Sequence, residues 1–374
     1  MNDRHTTERG RIRIVGFDDA NANRSDNDAS DDDDTDGATP ADSGAGPATT
    51  AETETMSAST LRQPGRRLEN AWRRFRRNQS GMAGLAVLVV MAVLAVFARP
   101  ITVSTTEVTI TLQPFSLAPY DPAAMFVGPA NAPPSPAHPF GTDWAGRDQF
   151  SRVLVGGRYT LSIGLVAVGL ALCVGVPLGA IAGYFGGWID EAIMRVVDVL
   201  YAFPFLVLAI AIVPILEPVP ILGSGYWTVV VALAVTGWVG YARLLRGEVL
   251  SVREREYVTA ARALGVPDRT IIRRHVVPNA VAPVVVQATL NVGTVVLTAA
   301  ALGFLGLGLE PGSAEWGAML AQGRSSLLRG DWHITVFPGL AIFLFVLAIN
   351  LVGDGINDAI EPDRDATDDR RRIR

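Results

Sequence analysis

The sequence predicts an all-α polytopic membrane protein with six transmembrane helices, and three observations carry that expectation. The 374 residues are 49% hydrophobic and only 18% charged, too apolar on average for an ordinary soluble protein. The uncharged residues gather into stretches near the ~20-residue length that a helix needs to cross the hydrocarbon core. The arginines gather between those stretches, in an alternating pattern that assigns an orientation.

The chain opens on a segment of the opposite character. From Met1 to about Thr60 there are fourteen acidic residues against five arginines, including the run Asp31-Asp32-Asp33-Asp34, and most of the rest is Ala, Thr, Ser, Gly and Asn. Such a segment cannot bury enough apolar surface to offset its chain entropy, so residues 1–64 read as a disordered acidic tail. No apolar run follows the start, which argues against a signal peptide. All 32 basic residues are arginine. That usage, with the acidic tail, leads us to expect a GC-rich, salt-adapted source such as a halophilic archaeon.

The expected membrane domain covers residues 65–362. Gly81 to Ala98 is its first span, between Ser80 and Arg99. The second is Thr160 to Ala182, ahead of the turn-forming Gly183-Tyr184-Phe185-Gly186-Gly187. Val199 to Leu216 is the third; it holds Pro204 and Pro214, whose freed carbonyls need partners from neighbouring helices. Tyr226 to Ala242, Val281 to Leu302 and Trp332 to Gly353 complete the six, and a short tail, 363–374, follows. An even number of spans puts both termini on one side. Arg66, Arg67, Arg73 and Arg74 before the first span, and Arg370, Arg371 and Arg372 after the last, make that side cytoplasmic. The arginine-rich segment between the fourth and fifth spans falls on the same side.

Composition also removes several kinds of chemistry. Without lysine there is no Schiff base and no phosphate-binding GxxxxGK[ST] loop, so any nucleotide hydrolysis belongs to another chain. Cys173 stands alone in an apolar run, where a buried structural thiol is expected. The four histidines are scattered, with no paired-ligand spacing. His138, Asp143 and Asp148 are near enough in sequence to hold a metal, but polar residues beside a helix start more often cap or pair locally. Gly323-Arg324-Ser325-Ser326 lacks the second glycine of a nucleophile elbow, which would stand at Leu327. Carboxylates are confined to span edges, at Asp198 and Asp354, so the chain offers no internal ion-coupling site and its energy is expected from a partner.

The loop between the fourth and fifth spans has a pattern of its own. From Arg253 to about Leu264, Tyr257, Ala261 and Leu264 are expected on one helical face. Gly265-Val266-Pro267 stops that helix. Asp268 is expected to cap a second one, with Ile271, Ile272, His275 and Val276 as an apolar stripe, ended by Pro278. Three readings fit: an amphipathic loop on anionic lipid, a docking element for a cytoplasmic ATPase, or a DNA-reading helix-turn-helix. The third is hampered because a pair tethered at both ends has little freedom to enter a major groove.

Glu256-Tyr257-Val258, then Ala260-Ala261-Arg262-Ala263-Leu264-Gly265 and later Pro278-Asn279, resembles the EAA loop of ABC-importer permeases of the dipeptide, oligopeptide and nickel group. HPFGTDWAGRDQFSRVLVGGRYTLSIG (His138 to Gly164), GYFGGWIDEAIMRVVDVLYAFP (Gly183 to Pro204), FLGLGLEPGSAEWGAML (Phe304 to Leu320) and FPGLAIFLFVLAINLVGDGINDAIEP (Phe337 to Pro362) are similar to that group's C-type component. The resemblance implies an ABC type I importer permease fold. It also implies a homologous second permease, two ABC ATPase subunits that bind the ATP and magnesium, and an extracellular solute-binding protein. Tyr257, Ala260, Ala261, Gly265, His275 and Pro278 carry the coupling loop by this resemblance, while Thr259 stands at the motif's glutamate position. Gly303, Gly306 and Gly308 are candidates for an outer gate or for tight helix packing. The group handles peptides and nickel chelates, and related systems carry oligosaccharides. A stand-alone secondary transporter or channel, and a membrane-anchored DNA-binding regulator, are the alternatives.

Overall fold

The computed structural model describes residues 64–104, 109–222, 225–310 and 312–360. The expected acidic tail and C-terminal tail therefore lie outside the described residues. Helix α1 (Pro64–Phe75) leads into α2 (Gln79–Phe97), and Asn78 caps α2 by accepting the Gly81 N–H at 2.8 Å. The Phe75 ring fills the space where side chains at Gly81 and Gly355 would stand. Two short antiparallel strands, β1 (Ile101–Ser104) and β2 (Thr109–Gln113), are a small departure from the all-α expectation.

The centre of the fold is a pair of long helices, α3 (Gln149–Phe185) and α6 (Tyr226–Arg253). Helix α3 begins well before the expected Thr160 because Asp148 caps it, accepting the Ser151 N–H at 2.7 Å. The two helices meet along Gly175, Gly179 and Gly183, spaced by four. A Cβ at Gly175 would stand 2.6 Å from the Trp238 carbonyl oxygen, and one at Gly179 would stand 3.0 Å from Ala242 Cα. At Gly183 it would meet Val249 Cβ at 2.8 Å. Small residues at this spacing let the backbones approach, which drives association where lipid removes the hydrophobic drive.

The third expected span, Val199 to Leu216, is not one helix. Helices α4 (Gly187–Tyr201) and α5 (Phe205–Leu216) meet at 94°. Pro204 lies at the break, where it lacks an N–H and pushes Phe203 out of helical geometry. Pro214, by contrast, is carried inside α5. Helix α4 is tied to α6 by Arg246, whose Nη2 donates to Asp190 Oδ2 at 2.6 Å, and by an Arg243–Asp198 ion pair.

A connecting segment, α7 (Glu256–Ala263), α8 (Asp268–Ile271) and α9 (Val277–Ala280), leads to α10 (Ala282–Phe304). Then come α11 (Trp316–Leu328), which was not expected as a helix, and α12 (His333–Ile360). Helix α12 crosses α2 at Gly84, where a Cβ would lie 2.8 Å from Leu351 Cβ, and α10 at Gly353, where one would lie 2.8 Å from Leu290 Cγ. Among the described residues five helices are long and apolar enough to span a membrane, six where the bent α4–α5 pair counts as one span. Apolar side chains such as Val89, Val90 and Val93 are left outward on α2. Cys173 also faces outward, contrary to the buried thiol expected. In a spanning helix an apolar run does not imply burial in protein, because lipid can cover it.

Candidate functional site

Helix α7 turns Val258 and Ala261 inward, where they join the main core with Ile271, Val276 and Val284. Its other side is uncovered. Tyr257, Ala260 and Leu264, at i, i+3 and i+7, are exposed, Leu264 by 83%. The expected common face of Tyr257, Ala261 and Leu264 is therefore divided, Ala261 inward and the other two outward, because the inward arc is shifted toward Val258. Thr259 is exposed as well, with its hydroxyl 3.5 Å from the Arg255 carbonyl.

Gly265 closes the helix at φ +74°, a conformation that favours glycine. Its N–H reaches the Arg262 carbonyl at 3.0 Å and the Val266 N–H reaches Ala261 at 3.1 Å, the paired bonds of a Schellman ending. Nothing lies within 4 Å of a Cβ placed there, so the turn's far side is open.

Asp268 does not cap the next helix; Pro267 holds that position. The Asp268 carboxylate instead accepts a 2.5 Å hydrogen bond from the Tyr184 hydroxyl at the end of α3. The Arg262 guanidinium lies over the same Tyr184 ring, 5.2 Å from its centre. Arg253 Nη1 donates to the Gly183 carbonyl at 2.9 Å. One tyrosine thus joins α3 to both helices of the loop. Tyr184 was not among the residues expected to matter here, and Asp268 was expected only as a cap; their link is spatial, with no local sequence signal.

The second half of the loop keeps the expected stripe: Ile271 and Val276 are buried, while Ile272 and His275 are half-buried. Residues Ile272–Val276 form a π-helical turn, a feature frequent at functional positions. Pro278 does not end the helix; it sits exposed near the start of α9, and the chain runs on into α10. Proline costs little in a first turn, where its missing N–H has no helical partner to lose. The Asn279 side chain donates to the His275 carbonyl at 2.6 Å.

At the opposite end of the fold, His138, Asp143 and Asp148 each have protein partners. His138 Nδ1 lies 2.9 Å from Asp148 Oδ1, while Asp143 accepts from Arg147 Nε at 2.7 Å and from the Ala145 N–H at 2.9 Å. Arg147 and Arg152 both reach Gln322 of α11, at 3.0 and 3.1 Å, which fixes that helix to the start of α3. Glu315 caps α11 through the Gly317 and Ala318 N–H groups, both at 2.8 Å. Burial pushes the Glu315 carboxyl above the ordinary glutamate value, with these two donors and Thr160 opposing.

The three glycines at the end of α10 and just beyond it differ in their surroundings. A Cβ at Gly303 would lie 2.6 Å from Glu315 Oε2, and one at Gly308 would lie 2.8 Å from Gly303 Cα. Gly306 has φ +81° and open space beside it. Gly303 and Gly308 are therefore occupied by packing, and Gly306 by the turn.

Residues 175–365 match the family model described as "Binding-protein-dependent transport system inner membrane component", and residues 67–134 match "N-terminal TM domain of oligopeptide transport permease C". The chain is 46% identical over 247 residues to the glutathione transport system permease protein GsiD of Pectobacterium atrosepticum, covering 66% of this chain and 80% of that one. It is 43% identical over 292 residues to GsiD of Escherichia coli O6:K15:H31, covering 78% and 89%. With the dipeptide transport system permease protein DppC of Alkalihalophilus pseudofirmus it shares 46% over 229 residues, covering 61% and 73%. The chain belongs to the family of binding-protein-dependent transport system inner membrane components, as an oligopeptide permease C-type, non-catalytic subunit of an ABC importer.

Proposed function

We propose that this permease carries short peptides, that it forms half of the translocation path with a homologous second permease, and that α7 and the Gly265 turn seat in a groove on one of two ATPase subunits. The observation that carries the docking assignment is the uncovered face Tyr257-Ala260-Leu264. A large apolar side chain left 83% exposed on a helix outside the spans, beside small residues and an open turn, suits a protein groove. Thr259 offers no carboxylate, so shape rather than charge does the seating. Gly265 shapes the turn that enters the groove, while His275 and Pro278 belong to the second half of the same loop.

The arginines of this end, including Arg255, Arg269, Arg273 and Arg274, support a cytoplasmic placement, and with it cytoplasmic termini. Closure of the ATP-bound ATPases would move α7, and the Tyr184 bridge would pass that motion to α3. At the far end, Gly306 is the position of the three glycines where an outer gate has room to flex. A peptide substrate is supported by the relatives named for glutathione and dipeptide transport. Nickel chelates and oligosaccharides have no such support.

The test is ATP-dependent uptake by the assembled transporter in proteoliposomes, supplied with its binding protein. Uptake of labelled glutathione or a dipeptide is expected. Uptake of a nickel chelate or an oligosaccharide, without peptide, would overturn the substrate assignment.

A further inference from the structure

One face of α10 is polar although the helix spans the membrane. Gln287, Asn291 and Thr294 recur at i, i+4 and i+7, and none of them is buried. Gln287 Nε2 donates to Asn291 Oδ1 at 3.0 Å, and Asn291 Nδ2 donates to the Tyr241 hydroxyl at 3.2 Å. Uncovered amides are costly against lipid, so such a face borders water or another chain.

Asn291 and Thr294 also line a cavity of about 550 Å³. Tyr241 and Gly240 of α6 form a second wall, and the α4–α5 elbow from Tyr201 to Phe205 forms a third. The volume falls in the range of small-molecule sites, roughly 300–1,000 Å³. Every lining residue is uncharged. Among the described residues the Tyr241 hydroxyl accepts from Asn291 and has no acceptor for its own proton. Gly240 has no atom within 4 Å of a Cβ position, so it leaves the cavity open.

We propose that this cavity is a solute-contact site on the permease's half of the path. There the Asn291 amide, the Tyr241 hydroxyl and the Thr294 hydroxyl hold the amide backbone of a short peptide. The proposal rests on the peptide-importer reading above. Neutral donors and acceptors set in apolar walls match the alternating N–H and C=O groups of a peptide, and they exert no preference for side-chain charge. The apolar remainder accepts side chains of varied shape.

Two measurements on the assembled transporter test it. Cys173 is the chain's single cysteine, so Cys173→Ala supplies a background for Asn291→Cys and Thr294→Cys. Val90→Cys, on the outward apolar face of α2, is the lipid-facing control. A charged methanethiosulfonate should modify positions 291 and 294 at least about tenfold faster than position 90, because the reactive thiolate forms only where water reaches. Millimolar dialanine, with the binding protein present, should slow the reaction at 291 and 294. Equally slow modification at all three positions would overturn the proposal, since lipid or the second permease then covers this face.

Gly240→Leu narrows the cavity at a lining position where an added Cβ meets no atom within 4 Å. Dipeptide uptake should fall at least about tenfold while the permease still co-purifies with its ATPase. Unchanged uptake by Gly240→Leu would overturn the site and leave the importer reading standing. Absence of peptide uptake by the unsubstituted transporter would overturn both.

Discussion

The Tyr184 hydroxyl donates a 2.5 Å hydrogen bond to Asp268 Oδ1, fastening the last turn of α3 to the first turn of α8. The same ring lies under Arg262 of α7. A loop held by backbone alone would flex against the spans; this one is tied to the longest helix in the fold. Tyr184→Phe keeps the ring contact and removes the hydrogen bond, at a stability cost of about 1 kcal/mol. We expect near-normal membrane levels and normal binding to the ATPase, with peptide uptake per ATP hydrolysed reduced about two- to fivefold. An unchanged ratio of uptake to hydrolysis would show that the bridge transmits nothing.

The α3–α6 contact gives a second prediction. At Gly179 any side chain is driven into the Ala242 backbone, 3.0 Å from its Cα. Gly179→Val should cost at least about 3 kcal/mol, since a backbone neighbour cannot rotate away. The expected outcome is loss of the permease from purified membranes. Gly169→Ala serves as the control, because nothing lies within 4 Å of that position. Equal yields of the two variants would contradict the packing described.

Glu315 gives a pH dependence. Its folded-state pKa is raised, chiefly by burial. A carboxyl raised on folding binds its proton more tightly in the folded state. Its contribution is therefore fully present below the unfolded value of roughly 4.3 and is lost as pH rises through the raised value. The melting temperature of the permease in detergent should fall over that window, and Glu315→Gln should flatten the fall. Glu315→Ala removes the acceptor for two N–H groups and should cost about 1–3 kcal/mol at any pH. A wild-type profile identical in shape to that of Glu315→Gln would count against a buried, titrating Glu315.

Much of the fold was legible because span length is a strong constraint. The five single-helix candidate spans overlap the uncharged stretches of sufficient length, although α3, α6 and α12 run beyond their apolar centres. The elbow at Pro204 was not legible: proline warned of a disturbance, but a kink inside one helix and a 94° turn between two have the same local sequence. Helix α11 was hidden because Trp316–Leu328 is too short for a span and depends on Glu315, Gln322 and Trp316 reaching α3. In the loop, Gly265 and the Ile271–Val276 stripe could be read from spacing. The outward turn of Leu264 could not, because a short helix can rotate its apolar arc by one residue and still satisfy the same pattern. The Gln287-Asn291-Thr294 stripe is written at plain helical spacing, yet it carries no charge and so lacks the signal that usually marks a functional position within a span.

The docking face is the centre of the account, and Leu264→Asp is its cleanest probe. Leu264 is 83% exposed, so the substitution should leave the permease folded and in the membrane, unlike Ala261→Asp, which places a charge on the buried side. Gly265→Arg is a second, harsher probe because it also strains a turn at φ +74°. The decisive measurement is binding-protein-stimulated ATPase activity of the assembled transporter carrying Leu264→Asp. The account predicts loss of at least about 90% of the stimulation, in step with loss of ATPase from the purified complex, as expected when a charge enters an apolar interface. Stimulation at the unsubstituted level, with the ATPase still bound, would contradict it.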